Sequence, residues 1–166
     1  LFRINDGNVT VEWLDLFGGA AGGPHGIEVS NVVPAGPVVI RNNLIHGNST
    51  DGIRIADATA VVDIYNNVIY ETGSGVRFTV DMSPAGRVNL YNNTIYSSNS
   101  GTGPSGIRSD VRQTTLRVDL RNNIVHSNAN GDIGMSPWFD RAYFCNAVPT
   151  CTQIGNGGVL GATEYL

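Results

Sequence analysis

The chain has no lysine, so all ten of its basic side chains are arginine. Lysine Schiff-base chemistry and a lysine general base are therefore excluded, and any cationic role falls to guanidinium groups. Long apolar runs are missing too. No stretch reaches the roughly 18 to 20 residues needed to cross a bilayer as a helix, so no membrane insertion is expected. No signal-peptide pattern opens at Leu1, and the absence of Met there leaves room for a longer precursor. Charge is sparse, at 14% of residues, with a formal net charge of −4. A nucleic-acid partner is not expected, because phosphate neutralisation needs a clustered basic field.

Cysteine is nearly absent. Cys145 and Cys151 lie close together in an irregular tail, where a disulfide would close a small loop in an oxidising compartment. That pairing points to a secreted or cell-surface protein, and a pair of free thiols is the alternative. The two cysteines complete no zinc-ligand spacing, and no metal site is expected. A nucleophile-elbow G-x-S-x-G, a phosphate-binding G-x-x-x-x-G-K and a dinucleotide fingerprint are all lacking. No cofactor follows from the residues.

Glycine, by contrast, is abundant at 21 residues, well above the usual share of about 7%, which implies many tight turns. Between the turns runs a repeat. VVIRNNLIHGN (38–48), VDIYNNVIYET (62–72), VNLYNNTIYSS (88–98) and VDLRNNIVHSN (118–128) align, and their Asn pairs recur after 24, 26 and 30 residues. A second pattern follows after a variable loop, as Gly52-Ile53-Arg54, Gly75-Val76-Arg77 and Gly106-Ile107-Arg108, with Gly26-Ile27-Glu28 before them. Period-two alternation predicts three inward columns: Ile40, Ile64, Leu90 and Leu120; Ile45, Ile69, Ile95 and Val125; and Ile27, Ile53, Val76 and Ile107. A unit of about 25 residues cannot bury such columns alone, and stacked copies can. The prediction is an all-β solenoid of about five or six coils with atypical ends. Asn at the recurring bend has a physical reason, since it tolerates the left-handed backbone region and its amides can bond from copy to copy.

Over residues 9–135 these segments resemble the right-handed parallel β-helix repeat proteins of the broad pectate-lyase-like superfamily, in which I-x-N-N-x-I and G-I-x-I patterns mark each coil. The resemblance implies one right-handed parallel β-helix domain over 1–166. Its motif specifies architecture and is nearly silent on chemistry, because lyases, hydrolases, epimerases, adhesins and tail proteins share it. The segment 136–166 is expected to form an irregular C-terminal cap, with Trp138, Phe139, Tyr143 and Phe144 folding over the last coil.

Two outward strips are candidate ligand surfaces. The first comprises Arg54, Arg77 and Arg108, with Glu28 before them and Asp57, Asp81 and Asp110 in the adjoining turns. The favoured reading is a ladder in which Arg and Asp neutralise each other, and the alternative is a surface for an acidic sugar chain. The second joins Arg41, Tyr65, Tyr91 and Arg121 with Asp63, Asn89 and Asp119 two residues upstream. Such a surface suits a periodic polysaccharide, although outward Tyr also stabilises a sheet by cross-strand packing. His46, Tyr70, Tyr96 and His126 share one repeat position, which places the two histidines about 14 Å apart, too far to share a metal.

Catalytic residues are not identifiable. The superfamily's clustered acids for Ca²⁺ with an Arg or Lys base match no consecutive positions here, and Pro24-His25-Gly26 is read as a turn. The leading expectation is a non-catalytic or activity-unassigned module presenting a carbohydrate-binding face. One alternative is a small polysaccharide lyase or glycoside hydrolase, the only reading with a place for Ca²⁺. The other is an assembly element of a surface protein or tail fibre that forms homo-oligomers through its coil ends.

Overall fold

The Asn pair sets the geometry of every coil. Its first member, Asn42, Asn66, Asn92 or Asn122, has φ between 53° and 56°, a left-handed conformation that Asn adopts at lower cost than most L-residues. One such residue followed by one extended residue turns the chain sharply enough for a new strand to begin at once. In the computed structural model, residues 2–18, 25–32, 36–57, 59–80, 85–98, 105–110, 117–129 and 133–134 are described. Asp81, the two cysteines and the aromatic residues 138, 139, 143 and 144 lie outside them.

The first turn contains β1 (Phe2–Ile4), β2 (Val9–Glu12) and β3 (Asp15–Phe17), and the second β4 (Ile27–Val29), β5 (Pro37–Arg41) and β6 (Leu44–His46). Then come β7 (Asp51–Ile55), β8 (Val61–Tyr65) and β9 (Val68–Tyr70), followed by β10 (Ser74–Phe78), β11 (Arg87–Tyr91) and β12 (Thr94–Tyr96). The series ends with β13 (Ile107–Ser109), β14 (Arg117–Arg121), β15 (Ile124–His126) and β16 (Ile133–Gly134). Every third strand pairs in parallel. Sheet A stacks β1-β4-β7-β10-β13-β16, sheet B stacks β2-β5-β8-β11-β14, and sheet C stacks β3-β6-β9-β12-β15. The result is a parallel β-solenoid of about four turns, close to the number expected.

The three predicted columns point inward. Ile40, Ile64 and Leu90 of sheet B, Ile45, Ile69 and Ile95 of sheet C, and Ile27, Ile53, Val76 and Ile107 of sheet A are fully buried. Burying each such side chain is worth about 1.5 to 3 kcal/mol against leaving it in water. The glycine that precedes the sheet A column has a packing reason. A Cβ on Gly52 would lie 2.8 Å from the Gly75 carbonyl oxygen of the next coil and 2.5 Å from Ile69 Cγ2.

The second Asn of each pair is buried, at Asn43, Asn67, Asn93 and Asn123. Asn43 donates from both its backbone N and its Nδ2 to Asn67 Oδ1, each at 3.0 Å. Asn67 donates in the same way to Asn93 Oδ1, at 3.1 and 3.0 Å, and Asn93 to Asn123 Oδ1, at 3.0 and 2.9 Å. Their Nδ2 groups also donate to the Ile40, Ile64 and Leu90 carbonyls at 2.9 Å. The buried amides are thus satisfied as a ladder along the solenoid. At the N-terminal end Trp13 (φ 60°) and Leu14 take the places of the pair, and Leu14 N–H closes the ladder on Asn43 Oδ1 at 3.1 Å.

Candidate functional site

Register brings together the arginines of the first predicted strip and all members of the second. On sheet A, Arg3, Glu28, Arg54, Arg77 and Arg108 form one outward row. Three arginines side by side would repel, and carboxylates interleave with them. Arg77 pairs with Asp110 and with Asp51 (3.5 Å), while Arg108 Nε reaches Asp110 Oδ1 at 2.6 Å. Arg54 lies 3.6 Å from Glu28, and Arg3 lies 2.9 Å from the same carboxylate. Burial works against the Arg77 charge, but the Asp110 and Asp51 carboxylates outweigh it and hold the guanidinium above its ordinary range.

Two members of this cluster are absent from the sequence-derived set. Asp51, 1% exposed, accepts from His25 Nδ1 at 2.9 Å, and His25 Nε2 faces Arg54 Nη1 at 3.0 Å. His25 Nδ1 also lies 3.0 Å from Thr50 Oγ1, so the ring is bracketed by Asp51, Thr50 and Arg54. His25 is therefore more than a turn residue. The position before each sheet A glycine is polar in all four copies (His25, Asp51, Ser74, Ser105), which is the sequence signal that marks the cluster.

Asp57 does different work. Its Oδ1 accepts from Thr59 N (2.7 Å), Thr59 Oγ1 (2.9 Å) and Ala60 N (3.1 Å), and its Oδ2 accepts from Val32 N (2.5 Å) in the preceding coil. Burial pushes this carboxyl up, but the four hydrogen bonds together hold it below its ordinary value. Asp57 ties two turns together and does not join the Arg row.

On sheet B, Arg41, Tyr65, Tyr91 and Arg121 are register partners, as are Asp63, Asn89 and Asp119. The tyrosine rings stack on each other, with centroids 5.0 Å apart and planes 12° from parallel. Arg41 covers the far side of Tyr65 at 5.9 Å, held by Glu12 (2.6 Å) and the Tyr65 hydroxyl (3.0 Å). At the other end of the pair, Arg121 is drawn back along its own strand by Asp119, at 2.9 and 2.5 Å. Beside Tyr91 there remains an open depression of about 470 Å³, lined by Arg87, Asn89, Tyr91, Asp119, Arg121 and their turn asparagines. Burial, and then the charge of Asp63, push the Tyr91 phenol above its ordinary value, so it remains a neutral hydroxyl.

Sheet C presents a five-membered ring stack, Phe17-His46-Tyr70-Tyr96-His126, whose last three steps are 4.8, 5.1 and 5.5 Å with planes within 6° of parallel. Those three steps separate the two histidines, in keeping with the spacing expected from the repeat. Among the described residues no group of three or more His, Cys, Asp or Glu is placed to hold a metal ion. No helix among them is long and apolar enough to cross a membrane. Comparison with protein-family models, with curated proteins and with solved structures found no match to this chain.

Proposed function

We propose that the chain is a β-helical module that binds a polysaccharide along the outward face of sheet B. The observation that supports this reading best is the depression beside Tyr91, where an aromatic ring adjoins amide, guanidinium and carboxylate groups. A sugar ring offers a weakly apolar face to an aromatic and a rim of hydroxyls to such polar groups. The rows repeat at the strand spacing of about 4.8 Å, which suits a long periodic ligand better than a compact metabolite. No bond cleavage is assigned, since Asp57 is committed to a turn and Asp110 to two arginines. Such a module would act outside the cell, where polysaccharides are exposed.

The test is calorimetric titration of the protein with a panel of oligosaccharides, alongside a mass-spectrometric time course of the same mixtures with and without Ca²⁺. Expected are binding, intact polymers, and a loss of about tenfold or more in affinity for Tyr91→Ala at unchanged fold. Equal binding by Tyr91→Ala would move the site elsewhere, and new oligosaccharides would promote the lyase or hydrolase reading.

A second reading, assembly through coil ends, is favoured by one observation. Phe2, Trp13, Leu14 and Phe17 of the first turn are all exposed, Trp13 at 75% and Phe17 at 69%. Concentration-dependent mass in light scattering would support it.

A further inference from the structure

We infer that the sheet B depression selects an anionic sugar, one bearing a carboxylate or a sulfate, and that Arg87 is the selecting residue; this rests on the glycan-binding reading above. The argument begins with pairing. Arg3, Arg41, Arg54, Arg77, Arg108 and Arg121 each lie within 4.0 Å of a carboxylate. Arg87 is exposed and forms no such pair with the described residues, although it lines the depression.

Register explains why. The column through Arg87 runs Pro37, Val61, Arg87, Arg117 and contains no acid. The acids nearby are engaged. Asp119 is held by two nitrogens of Arg121, and Asp63, which accepts from Asn89 Nδ2 at 2.6 Å, does not line the depression. The depression therefore combines a guanidinium that pairs with no described carboxylate and a single carboxylate, Asp119, that is already bonded.

Arg87 also borders a recess of about 350 Å³ lined by Val32, Pro37, Thr59, Ala60 and Val61. A guanidinium fork matches a planar carboxylate with two parallel bonds and also takes a sulfate, while Tyr91 four residues along the strand receives the ring. Carboxylate and sulfate share this oxyanion chemistry, and the experiment separates them.

Three oligosaccharides of equal length, one neutral, one of uronic acid and one sulfated, are titrated calorimetrically at low salt and again at about 0.5 M salt. At least one anionic sugar should bind about tenfold tighter than the neutral one, with the gap narrowing in salt. Arg87→Gln should close that gap, lowering anionic binding far more than neutral binding. Arg3→Gln, which removes the same charge from sheet A, should preserve it. Neutral binding with no anionic preference, or a preference that survives Arg87→Gln, overturns the inference while the glycan reading stands. Failure of all three sugars to bind overturns both.

Discussion

Two kinds of turn join the strands, and they obey different rules. The turn from sheet B to sheet C is two residues long in every coil with the pair, at 42–43, 66–67, 92–93 and 122–123, and is Asn-Asn each time. The other turns vary, from three residues at 71–73 to ten at 97–106. The difference is one of where the hydrogen bonds go. At the constant turn the second Asn, at 43, 67 and 93, bonds its equivalent in the next coil, so the length of any one turn is fixed by its neighbours. At the variable turns the residue types bonded across coils change from copy to copy, as in Thr72, Ser98 and Asn128, or the bonds are mainly local, as at Asp57, and length drifts.

The strongest way to break this comparison is to remove one rung. Asn67→Ala would leave the backbone N and Nδ2 of Asn43 without their acceptor and take the amide donor from the Ile40 carbonyl, while Asn93 Oδ1 keeps only the backbone N–H of residue 67, all in a buried setting. Stranded buried groups cost about 1 to 3 kcal/mol each, with partial relaxation, and a loss of about 3 to 5 kcal/mol is expected in urea unfolding. A loss under about 1 kcal/mol would mean that turn length is set by the backbone and not by the ladder.

How much of this was legible from the sequence follows the same division. The Asn spacing and the alternation in VDIYNNVIY were enough to place the sheets, the three inward columns and the members of each outward row, because a solenoid turns a repeat position into a column. Arg–Asp neutralisation was legible as a ladder, and Asp110 does pair with Arg77 and Arg108, but the individual partners were not: Asp51 also meets Arg77, Asp57 joins no described Arg, and His25 reaches Asp51 across a coil, because turn lengths outside the repeat decide which acid faces which arginine. That Arg87 pairs with no described carboxylate was likewise hidden, since it depends on Asp119 being drawn back to Arg121. The first turn lacked the Asn pair by eye, yet Trp13 and Leu14 supply the same backbone geometry.

Asp57 offers a smaller test at a variable turn. Asp57→Asn would turn an amide donor, or a lost acceptor, toward backbone N–H groups and should cost about 1 to 3 kcal/mol. Its pH dependence has a definite sign. The folded carboxyl lies below its ordinary value, so its contribution is fully present above the ordinary carboxylate range and is lost as pH falls through the folded value. The gap in unfolding midpoint between the wild type and Asp57→Asn should therefore be widest near about pH 7 and shrink toward about pH 3. A gap independent of pH would show that the carboxylate's charge is not what holds the turn.

The smallest expected effect separates the two asparagines of one pair. Asn66 is exposed and contributes through its φ of 56°, whereas Asn67 is buried and contributes through its amide. Ala pays about 1 kcal/mol in the left-handed region, and Gly pays no steric cost there. Asn66→Ala should thus lower stability by about 1 kcal/mol and Asn66→Gly by less, the reverse of the usual ranking in regular structure. If Ala proved better than Gly at position 66, the left-handed residue would be incidental to the turn. The side-chain ladder at position 67 would then have to account for the invariance of both.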